Sequence, residues 1–547
     1  MKLRPGWLLV GIAASFWFFL VAYPLAALAL RMGSIGSVAA YFDPEILGIA
    51  AMTLEQAVWS TVISCLIGLP LGLWIGAVTS REGGRVARLS FTLLSLPYGV
   101  PTVVAATVWV SLLGRSGVIQ QLFISLLGFS PEWIRSFAYS LKAVVLAHVF
   151  YNVPWVALLV AQARMSVPPV QLAAAETLGA GLCSRTRFII WPQVKWAFAS
   201  AAAQVMALCV MSFALVLILG GGPPVQTLET ALYARIRYGA LDVSGAVVCA
   251  FWELIIAMLP WLLILLAQSR QANYSLKTGQ TGHAGLSPEP GRELGQWRIS
   301  GVLGAITAFF FLIPYFTIFG IDTLKTLFNF EVLLQISRPL QLSMLIAVLT
   351  SLGAVLLGLL CVVAAGFLRF RPLFSTMFSV LAALPSGLSI LVLGLGFWVG
   401  YARWLDPFAG SLAAMVFLQI AVFYPVAFRI LWPVMERRPL DLLDAAYTMG
   451  ASRLRAFWSV EWPLWRGPVA SAIGIVAGAS LGEVAAVSLF YSERLVPLPL
   501  VISRWMSQYQ FAEAEAVSAL LLLLSTGIIG VVSYWGQGGS SVVRARS

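Results

Sequence analysis

The side chains most often used for chemistry are few in this sequence and stand apart from one another. The five cysteines form no CxxC pair and no Cys/His spacing typical of zinc sites, and only two histidines occur, His148 and His283. The carboxylates are not clustered along the chain, so a pair for general acid and base catalysis is not visible. A G-x-x-x-x-G-K-[ST] phosphate loop is also absent from the sequence. We therefore predict a protein that is not an enzyme, holds no metal, disulfide or cofactor, and does not bind ATP through such a loop.

Two acidic residues nevertheless fall within strongly apolar segments. Glu483 stands beside Ser480 and Gly482 in a segment that we assign to an eleventh membrane span, and Glu253 lies nearer the outer end of the sixth. A charged side chain is costly inside a bilayer and by default indicates function. We take Ser480 and Glu483 as candidate residues of a solute pathway, with Glu483 placed to attract a cationic solute. The alternative is that each acid lies at a water-filled interface or is paired with a neighbouring group.

The most specific pattern is a segment that occurs twice, with one constant spacing between its copies and without a gap. The matching pairs are Pro154 with Pro425, Pro168 with Pro439, Leu172 with Leu443, Ala174 and Ala175 with Ala445 and Ala446, Thr177 with Thr448, Gly179 and Ala180 with Gly450 and Ala451, and Trp191-Pro192 with Trp462-Pro463. We call this spacing, from Pro154 to Pro425, the repeat offset. One interpretation is an ordinary capped loop between two spans, in which Pro and Gly serve only to begin and end helices. A connector need not be copied, however, so the repetition indicates that both segments face the same kind of partner.

The residue types of the repeat predict two short helices joined at a glycine. In the second copy, Pro439 opens a helix that Gly450 ends in a left-handed cap, and Asp444 suits its positive N-terminal end. A second short helix is expected from Ser452 to just before Pro463. The first copy repeats this pattern with Pro168 or Pro169, Glu176, Gly179 and Ser184. We call the two copies the first elbow (residues 168–192) and the second elbow (residues 439–463).

The elements that position the elbows are membrane helices. With 60% hydrophobic residues, only 10% charged residues and a mean hydropathy of +0.91, the 547-residue chain lies far outside the composition of soluble proteins. Continuously apolar segments favour helices over barrel strands, whose residues alternate. The predicted spans begin near residues 7, 54, 89, 139, 197, 244, 299, 340, 373, 408, 467 and 512. We interpret the first as a retained helix and not as a cleaved signal.

A polar stretch rich in Gly, Ser, Gln and Pro, residues 268–298, separates two halves of six spans, residues 1–267 and 299–547. If the N-terminus is cytoplasmic, 23 of the 34 Lys and Arg residues fall inside, as the positive-inside rule requires. Since each half has an even number of spans, both elbows and both termini are expected in the cytoplasm. This topology also accounts for the net charge of +12, and no nucleic-acid partner is expected.

The repeat resembles the signature of permease subunits in binding-protein-dependent ABC importers, which is Glu-Ala-Ala, three residues, Gly, nine residues, then Ile-x-Leu-Pro. The first elbow reads Ala173-Ala174-Ala175-Glu176-Thr177-Leu178-Gly179, then Ile189-Ile190-Trp191-Pro192. The second elbow reads Asp444-Ala445-Ala446-Tyr447-Thr448-Met449-Gly450, then Val460-Glu461-Trp462-Pro463. The spacing matches in both copies, and the resemblance extends over most of both halves.

The signature's leading Glu is the main departure, since it is Ala173 in the first elbow and Asp444 in the second. Its penultimate Leu is also replaced, by Trp191 or Trp462. Glu176 is placed to take over part of the acid's role on the same helix face. We predict that the second elbow contributes more than the first to docking on an ATPase.

The resemblance implies an all-α polytopic fold with about twelve transmembrane helices, arranged as two tandem six-helix type I importer modules in one chain, as in the iron(III) and thiamine branch. It implies three kinds of partner: the lipid bilayer, two copies of a separate ATPase subunit that binds ATP and Mg, and an extracytoplasmic solute-binding protein. The implied location is the bacterial cytoplasmic (inner) membrane. Three segments look most like thiamine-type members: Ser212-Phe213-Ala214, Gly220-Gly221-Gly222-Pro223 and Thr227-Leu228-Glu229. Ser212 joins Ser480 and Glu483 as a candidate pathway residue.

Together these features predict the permease of an ATP-driven importer for a thiamine-like solute or iron(III), working by alternating access. A polyamine or oxyanion ABC permease is an alternative, because solute choice rests largely with the binding protein. An ion-coupled secondary transporter also commonly has twelve spans and a duplicated half, but it needs buried acids or broken helices at the membrane midplane. A membrane scaffold that recruits a partner through the elbows is the third alternative.

Overall fold

Long apolar helices form the framework of the protein, as the composition predicts. The computed structural model describes residues 5–82, 91, 94, 96–114, 117–129, 131–220, 222, 225–238, 241–277, 311–312, 315–368, 371–404, 410–436 and 440–537. Ten described helical segments can cross a membrane, and an eleventh is added if Leu373–Gly387 and Ile390–Gly400, bent by 100°, form one broken span. The span predicted near residue 89 begins at Thr102 instead. The span predicted near residue 299 lies largely outside the described ranges. The all-α polytopic fold is confirmed.

The two halves share one repeated run of helices. The first half contains α1 (Pro5–Trp17), α2 (Tyr23–Gly33), α3 (Pro44–Glu82), α4 (Thr102–Leu113), α5 (Val118–Leu127), α6 (Glu132–Arg135), α7 (Leu141–Met165), α8 (Pro169–Thr177), α9 (Leu182–Arg185), α10 (Trp191–Val210), α11 (Ala214–Leu219), α12 (Leu228–Arg237) and α13 (Val243–Lys277). The second contains α14 (Ile321–Leu327), α15 (Phe330–Leu368), α16 (Pro372–Ala383), α17 (Ile390–Gly400), α18 (Leu412–Glu436), α19 (Leu440–Thr448), α20 (Arg453–Ala456), α21 (Trp462–Leu481), α22 (Ala485–Phe490), α23 (Leu498–Ser507) and α24 (Phe511–Gln537). Every boundary from α7 to α11 recurs at the repeat offset, from α18 to α22.

Several predicted boundaries need correction. Helix α13 continues to Lys277, ten residues into the stretch predicted as linker; the rest of that stretch lies outside the described residues. The spans predicted to begin near 54, 197, 340 and 467 begin at Pro44, Leu182, Phe330 and Leu454 instead. The second short helix of the second elbow therefore does not stop before Pro463, because it runs on into α21.

A wide π turn explains how each of these helices passes through a proline. The turns Phe18–Ala22, Thr186–Ile190 and Phe457–Glu461 are each followed directly by an aromatic residue and a proline. In each turn the N–H of the aromatic residue donates to the carbonyl five residues earlier. A proline has no N–H and its ring collides with the carbonyl four residues earlier in an α-helix. The wider turn relieves that collision, so Pro192 and Pro463 lie inside continuous spans.

The halves are interlocked by their first helices. The Tyr23 hydroxyl donates to the Gly400 carbonyl over 2.9 Å, and the Tyr401 hydroxyl donates to the Phe19 carbonyl over 2.7 Å. These bonds hold the α1–α2 span against α17 of the other half. In the opposite direction, the ring of Phe311 packs 6.0 Å from that of Phe150 in α7. Neither half therefore packs as an isolated bundle.

Close packing also fixes the helices that lead into the elbows. A Cβ added to Gly72 of α3 would lie 2.6 Å from the Ala157 carbonyl oxygen of α7, and one added to Gly358 of α15 would lie 2.9 Å from the Ala427 Cβ of α18. Small residues allow this approach between membrane helices, where van der Waals contact drives association. Each elbow thus leaves the membrane from a helix that is packed along its length.

Candidate functional sites at the elbows and the membrane centre

Each elbow ends its first helix in the same left-handed cap. The φ angle is +77° at Gly179 and +81° at Gly450. In both copies the N–H of the residue after this glycine donates over 2.9 Å to the carbonyl five residues earlier, as in a Schellman motif. An added Cβ would meet no atom within 4 Å at either glycine, so backbone conformation alone requires glycine here. The predicted caps are confirmed.

The apolar side chains of each elbow divide into an anchor and a tip. The anchors, Leu172 and Leu443, are each only 4% exposed. The tips, Leu178 and Met449, directly precede the capping glycines and are each 87% exposed. An apolar side chain held in the open at a rigid turn is typical of a surface that a partner covers. Both elbows present this surface in the same place.

The alanines of the signature lie on the outer face of the short helices. Ala173 and Ala174 of α8 are exposed and Ala175 is half-buried, whereas Ala445 of α19 is exposed and Ala446 is half-buried. Because these side chains are small, another molecule can approach the helix backbone closely. The arrangement is compatible with the docking role that the sequence resemblance implies.

The charges of the two elbows differ. Asp444 is exposed and forms no ion pair with any other described residue. Glu176 instead bonds to Arg185 of α9, with 3.2 Å between the carboxylate and guanidinium groups. In the second elbow, the positions equivalent to Glu176 and Arg185 hold Tyr447 and the fully buried Ala456. Glu176 therefore has a partner within its own elbow, which weakens the expectation that it substitutes for an acid at Ala173.

Ser212 belongs to a hydrogen-bonded chain in the first half. It lies in the break between α10 and α11, and its Oγ is 2.8 Å from Nε2 of His148 in α7. The other ring nitrogen of His148, Nδ1, is 3.1 Å from Oγ of Ser60 in α3. The three side chains link α3, α7 and the break between α10 and α11.

Ser480 belongs to the corresponding chain in the second half. The Ser480 hydroxyl of α21 donates to Oε1 of Gln419 in α18, and the Thr350 hydroxyl of α15 donates to the same oxygen over 3.2 Å. Gln419 is the counterpart of His148 at the repeat offset, so the same position of α7 and α18 holds an imidazole in the first half and an amide in the second. The serine partners are not equivalent, because Ser480 corresponds to Cys209 and not to Ser212.

Glu483 lies outside the helix to which the sequence assigned it. Helix α21 ends at Leu481, and Glu483 is in the break before α22, where its carboxylate accepts the Ala485 N–H over 2.8 Å. Its position corresponds to Ser212 in the first half. A carboxylate in front of a helix N-terminus is stabilised by the exposed N–H groups and the positive end of the helix dipole.

Two further carboxylates lie near Glu483. Glu229 is in the first turn of α12, is 1% exposed, and accepts a hydrogen bond from the Ser389 hydroxyl over 2.7 Å. Glu253 of α13 is also 1% exposed and approaches both Glu229 and Ser389. Glu483 lies just before α22, which contacts α12, the helix that carries Glu229. We call Glu229, Glu253 and Glu483 the acidic trio.

The acidic trio draws on both halves, and its residues are not repeated at the equivalent positions of the described chain. The position equivalent to Glu229 in α23 is Pro499, and the residue before α4, equivalent to Ser389 before α17, is Pro101. Glu483 corresponds to the neutral Ser212. The acidic trio therefore breaks the pseudo-symmetry of the two halves.

The trio does not have the geometry of a metal site. Among the described residues, no three His, Cys, Asp or Glu side chains converge on a point that could hold a metal ion. Carboxyl groups that share a buried region are costly to ionise together, and a positive charge nearby favours their ionised form.

Sequence reasoning identified Ser212, Ser480 and Glu483 as one group, but the structure does not bring all three together. Ser212 and Ser480 lie in separate hydrogen-bonded chains, and Glu483 lies in the acidic trio. Glu229, Ser389 and His148 were missed as site residues. The available signal was the repeat offset itself, since it pairs His148 with Gln419 and would have drawn attention to both.

Comparisons with known proteins match the chain over both halves. The family model described as "Binding-protein-dependent transport system inner membrane component" matches residues 68–273 and 296–538. The gap between the two matches lies inside the predicted linker. The duplication seen in the elbows therefore extends to two complete copies of one module.

Among curated proteins, the chain is similar to the "Thiamine transport system permease protein ThiP" of Brucella abortus (strain 2308), with 30% identity over 535 residues, 95% of this chain and 93% of that protein. The protein of the same name from Escherichia coli (strain K12) is 28% identical over 540 residues, 95% of each chain. The "Sulfate transport system permease protein CysW" of Escherichia coli (strain K12) is 24% identical over 281 residues, which is 51% of this chain and 92% of that protein.

Proposed function

The chain belongs to the family of binding-protein-dependent transport system inner membrane components, and from that premise we propose that it is the permease of an ATP-driven importer for thiamine. The acidic trio is the observation that carries the choice of solute. It combines Glu229 and Glu253 of the first half with Glu483 of the second, in a chain built of membrane-spanning helices, where a cation otherwise loses its hydration.

The chemistry of thiamine agrees with such a site. Its thiazolium ring carries a permanent positive charge that is spread over several atoms, and its second ring is a neutral heteroaromatic. A charge of this kind needs a negative field and apolar contact, not a set of converging ligands. The similarity to thiamine permeases over 95% of the chain supports the same solute.

Other solutes fit less well. Iron(III) would be expected to use converging oxygen or nitrogen ligands, and the described residues offer no such group. An oxyanion would be repelled by three carboxylates. A polyamine is also cationic, and its charges are localised on separate ammonium groups, so competition between spermidine and thiamine for uptake distinguishes the two.

The energy source in this proposal is a separate ATPase. The exposed tips Leu178 and Met449, each beside a rigid glycine cap, are the surfaces that two ATPase subunits would cover. ATP and Mg would then be bound by those subunits. Closure of the ATPase pair would move the elbows together and, through α7 and α18, reopen the bundle toward a solute-binding protein on the opposite face. In this arrangement both termini are cytoplasmic.

One observation favours a second candidate, an ion-coupled secondary transporter. The sequence shows few acids within its spans, but the folded chain brings Glu229 and Glu253 together in a buried position beside broken helices, which are features such transporters use. Whether uptake depends on ATP separates the two candidate functions.

The test is uptake of radiolabelled thiamine by proteoliposomes that contain the full chain, its ATPase and its binding protein. We expect uptake only with ATP inside, on the ATPase side, and binding protein on the other. An excess of unlabelled thiamine should abolish it, and spermidine should not. Uptake that persists without ATP and follows an ion gradient would instead establish the second candidate.

A further inference from the structure

A separate cavity lies on the face opposite the elbows, between the two halves. Its volume is about 680 Å³, within the range of small-molecule sites. Tyr139, just before α7, lines it, whereas the far end of α7 leads into the first elbow. The 25 residues of α7 place the cavity about 37 Å from that elbow. Tyr233, which lines the cavity, lies one helical turn after Glu229 in α12, so the cavity adjoins the acidic trio.

The walls of the cavity are aromatic. Tyr139 and Tyr233 of the first half face Tyr491, Tyr509 and Phe511 of the second. Tyr233 is only 3% exposed and Tyr509 is 79% exposed, so the rings extend from the interior to the rim. Aromatic faces attract both cations and flat heteroaromatic rings.

Two of these tyrosines occupy a backbone conformation that bulky residues rarely adopt. The φ angle is +61° at Tyr139 and +64° at Tyr509. The counterpart of Tyr139 at the repeat offset is Gly410, with φ of +77°. The second half thus uses the residue that suits this conformation, whereas the first half keeps an aromatic ring there. Unfavourable backbone conformations of this kind concentrate at functional sites.

The charged groups of the cavity are distributed unequally. The Glu515 carboxylate accepts a hydrogen bond from the Ser111 hydroxyl, and both residues line the cavity. Arg504 also lines it, but its guanidinium carbon lies 5.1 Å from the centre of the Tyr491 ring, and that of Arg237 lies 3.9 Å from the same centre. Arg504 forms no ion pair with Glu515 among the described residues. The carboxylate is thus available to an incoming cation, whereas both guanidinium groups are stacked on Tyr491.

We propose that this cavity is an entry site for the solute, in which the tyrosine rings pack against a heteroaromatic cation and Glu515 offsets its charge. The proposal rests on the proposed function and adds to it a second site, distinct from the acidic trio. A solute released from a binding protein would be held here while the path through the trio is closed.

The test measures equilibrium binding of radiolabelled thiamine to the full chain in nanodiscs, without ATPase. We expect Tyr139→Gly and Tyr509→Gly to weaken binding at least about fivefold and Glu515→Gln to weaken it about tenfold. Because glycine suits a positive φ, the two tyrosine variants should unfold at the same or a higher temperature than the wild type. If they do, loss of binding cannot be ascribed to misfolding.

Leu241→Gly is the matched control. Leu241 has φ of +59° and does not line the cavity, so its replacement gives the same backbone relief with no loss of a cavity ring. Its thiamine affinity should equal that of the wild type. Arg504→Gln should leave the thiamine affinity unchanged or raise it. A lower affinity would show that the cavity binds an anionic group, which contradicts our assignment.

The outcomes separate this proposal from the transport function. If the chain takes up thiamine in an ATP-dependent way but Tyr509→Gly and Glu515→Gln leave its thiamine affinity unchanged, the transport function stands and the entry site is overturned. No thiamine binding by the wild type would also overturn it. Cavity-dependent thiamine binding without any thiamine uptake would retain the site and reject the transport function. If the variants bind thiamine normally and lose only the stimulation of uptake by the binding protein, the cavity is a protein-docking surface and the proposal is refuted.

Discussion

The elbows and the membrane centre have the same duplicated origin but have diverged to different degrees. At the elbows the two halves agree in helix boundaries, capping geometry, buried anchor and exposed tip. At the centre, Glu229, Ser389 and Glu483 stand where the other half has Pro499, Pro101 and Ser212. A pair of identical partners requires matching surfaces, whereas a single asymmetric solute does not. The difference is what our proposal expects if the elbows bind two copies of one ATPase and the acidic trio acts on the solute.

The largest effect should come from breaking an elbow cap. Proline has φ near −65°, so Gly450→Pro cannot keep the observed +81° and should cost about 3 kcal/mol or more locally. We expect loss of ATPase co-purification and of uptake. Gly179→Pro is the matched variant in the first elbow, and Gly450→Ala should have a milder effect of about 1 kcal/mol. Normal uptake by Gly450→Pro would refute the coupling role of the second elbow.

The exposed tips provide a test that does not disturb the fold. Met449→Glu and Leu178→Glu place a charge on side chains that are 87% exposed, so stability should change by no more than about 0.5 kcal/mol. If the tips are docked against ATPase subunits, each variant should lose association at least about tenfold in affinity. Thermal unfolding provides the control for folding. An unchanged affinity in both variants would mean that the tips face water.

The smallest effect should report the difference in charge between the elbows. Asp444→Asn removes an exposed charge that has no ion-pair partner in the described chain, and Ala173→Asp adds the missing acid to the first elbow. We expect a twofold to fivefold fall in ATPase affinity for the former and a rise for the latter, about 0.5–1 kcal/mol each. Association measured at low and high salt checks that the effect is electrostatic. Equal effects of matched disruptions in the two elbows would show the charge difference to be inconsequential.

The contrast between these regions also explains what the sequence predicted well. The elbow cap depends on local chemistry, since Gly450 ends a helix through its own φ angle and hydrogen bonds within six residues. The acidic trio depends on tertiary packing, because Ser389 and Glu229 are 160 residues apart in the chain. The π turns before Pro192 and Pro463 were missed for a different reason. Proline is normally a stop signal, and only a widened turn lets the helix continue.

The central claim is that the acidic trio handles a cationic solute while the elbows handle the ATPase. Its most direct test is ATP-dependent thiamine uptake by Glu483→Gln in the reconstituted system, compared with Ser212→Ala at the equivalent position and with Asp322→Asn, a surface acid that is unrelated to the trio.

We predict that Glu483→Gln lowers uptake about tenfold, equivalent to about 1.4 kcal/mol, while ATPase association stays at the wild-type level. Ser212→Ala should have a smaller effect and Asp322→Asn none. Uptake by Glu483→Gln equal to that of the wild type would contradict the account.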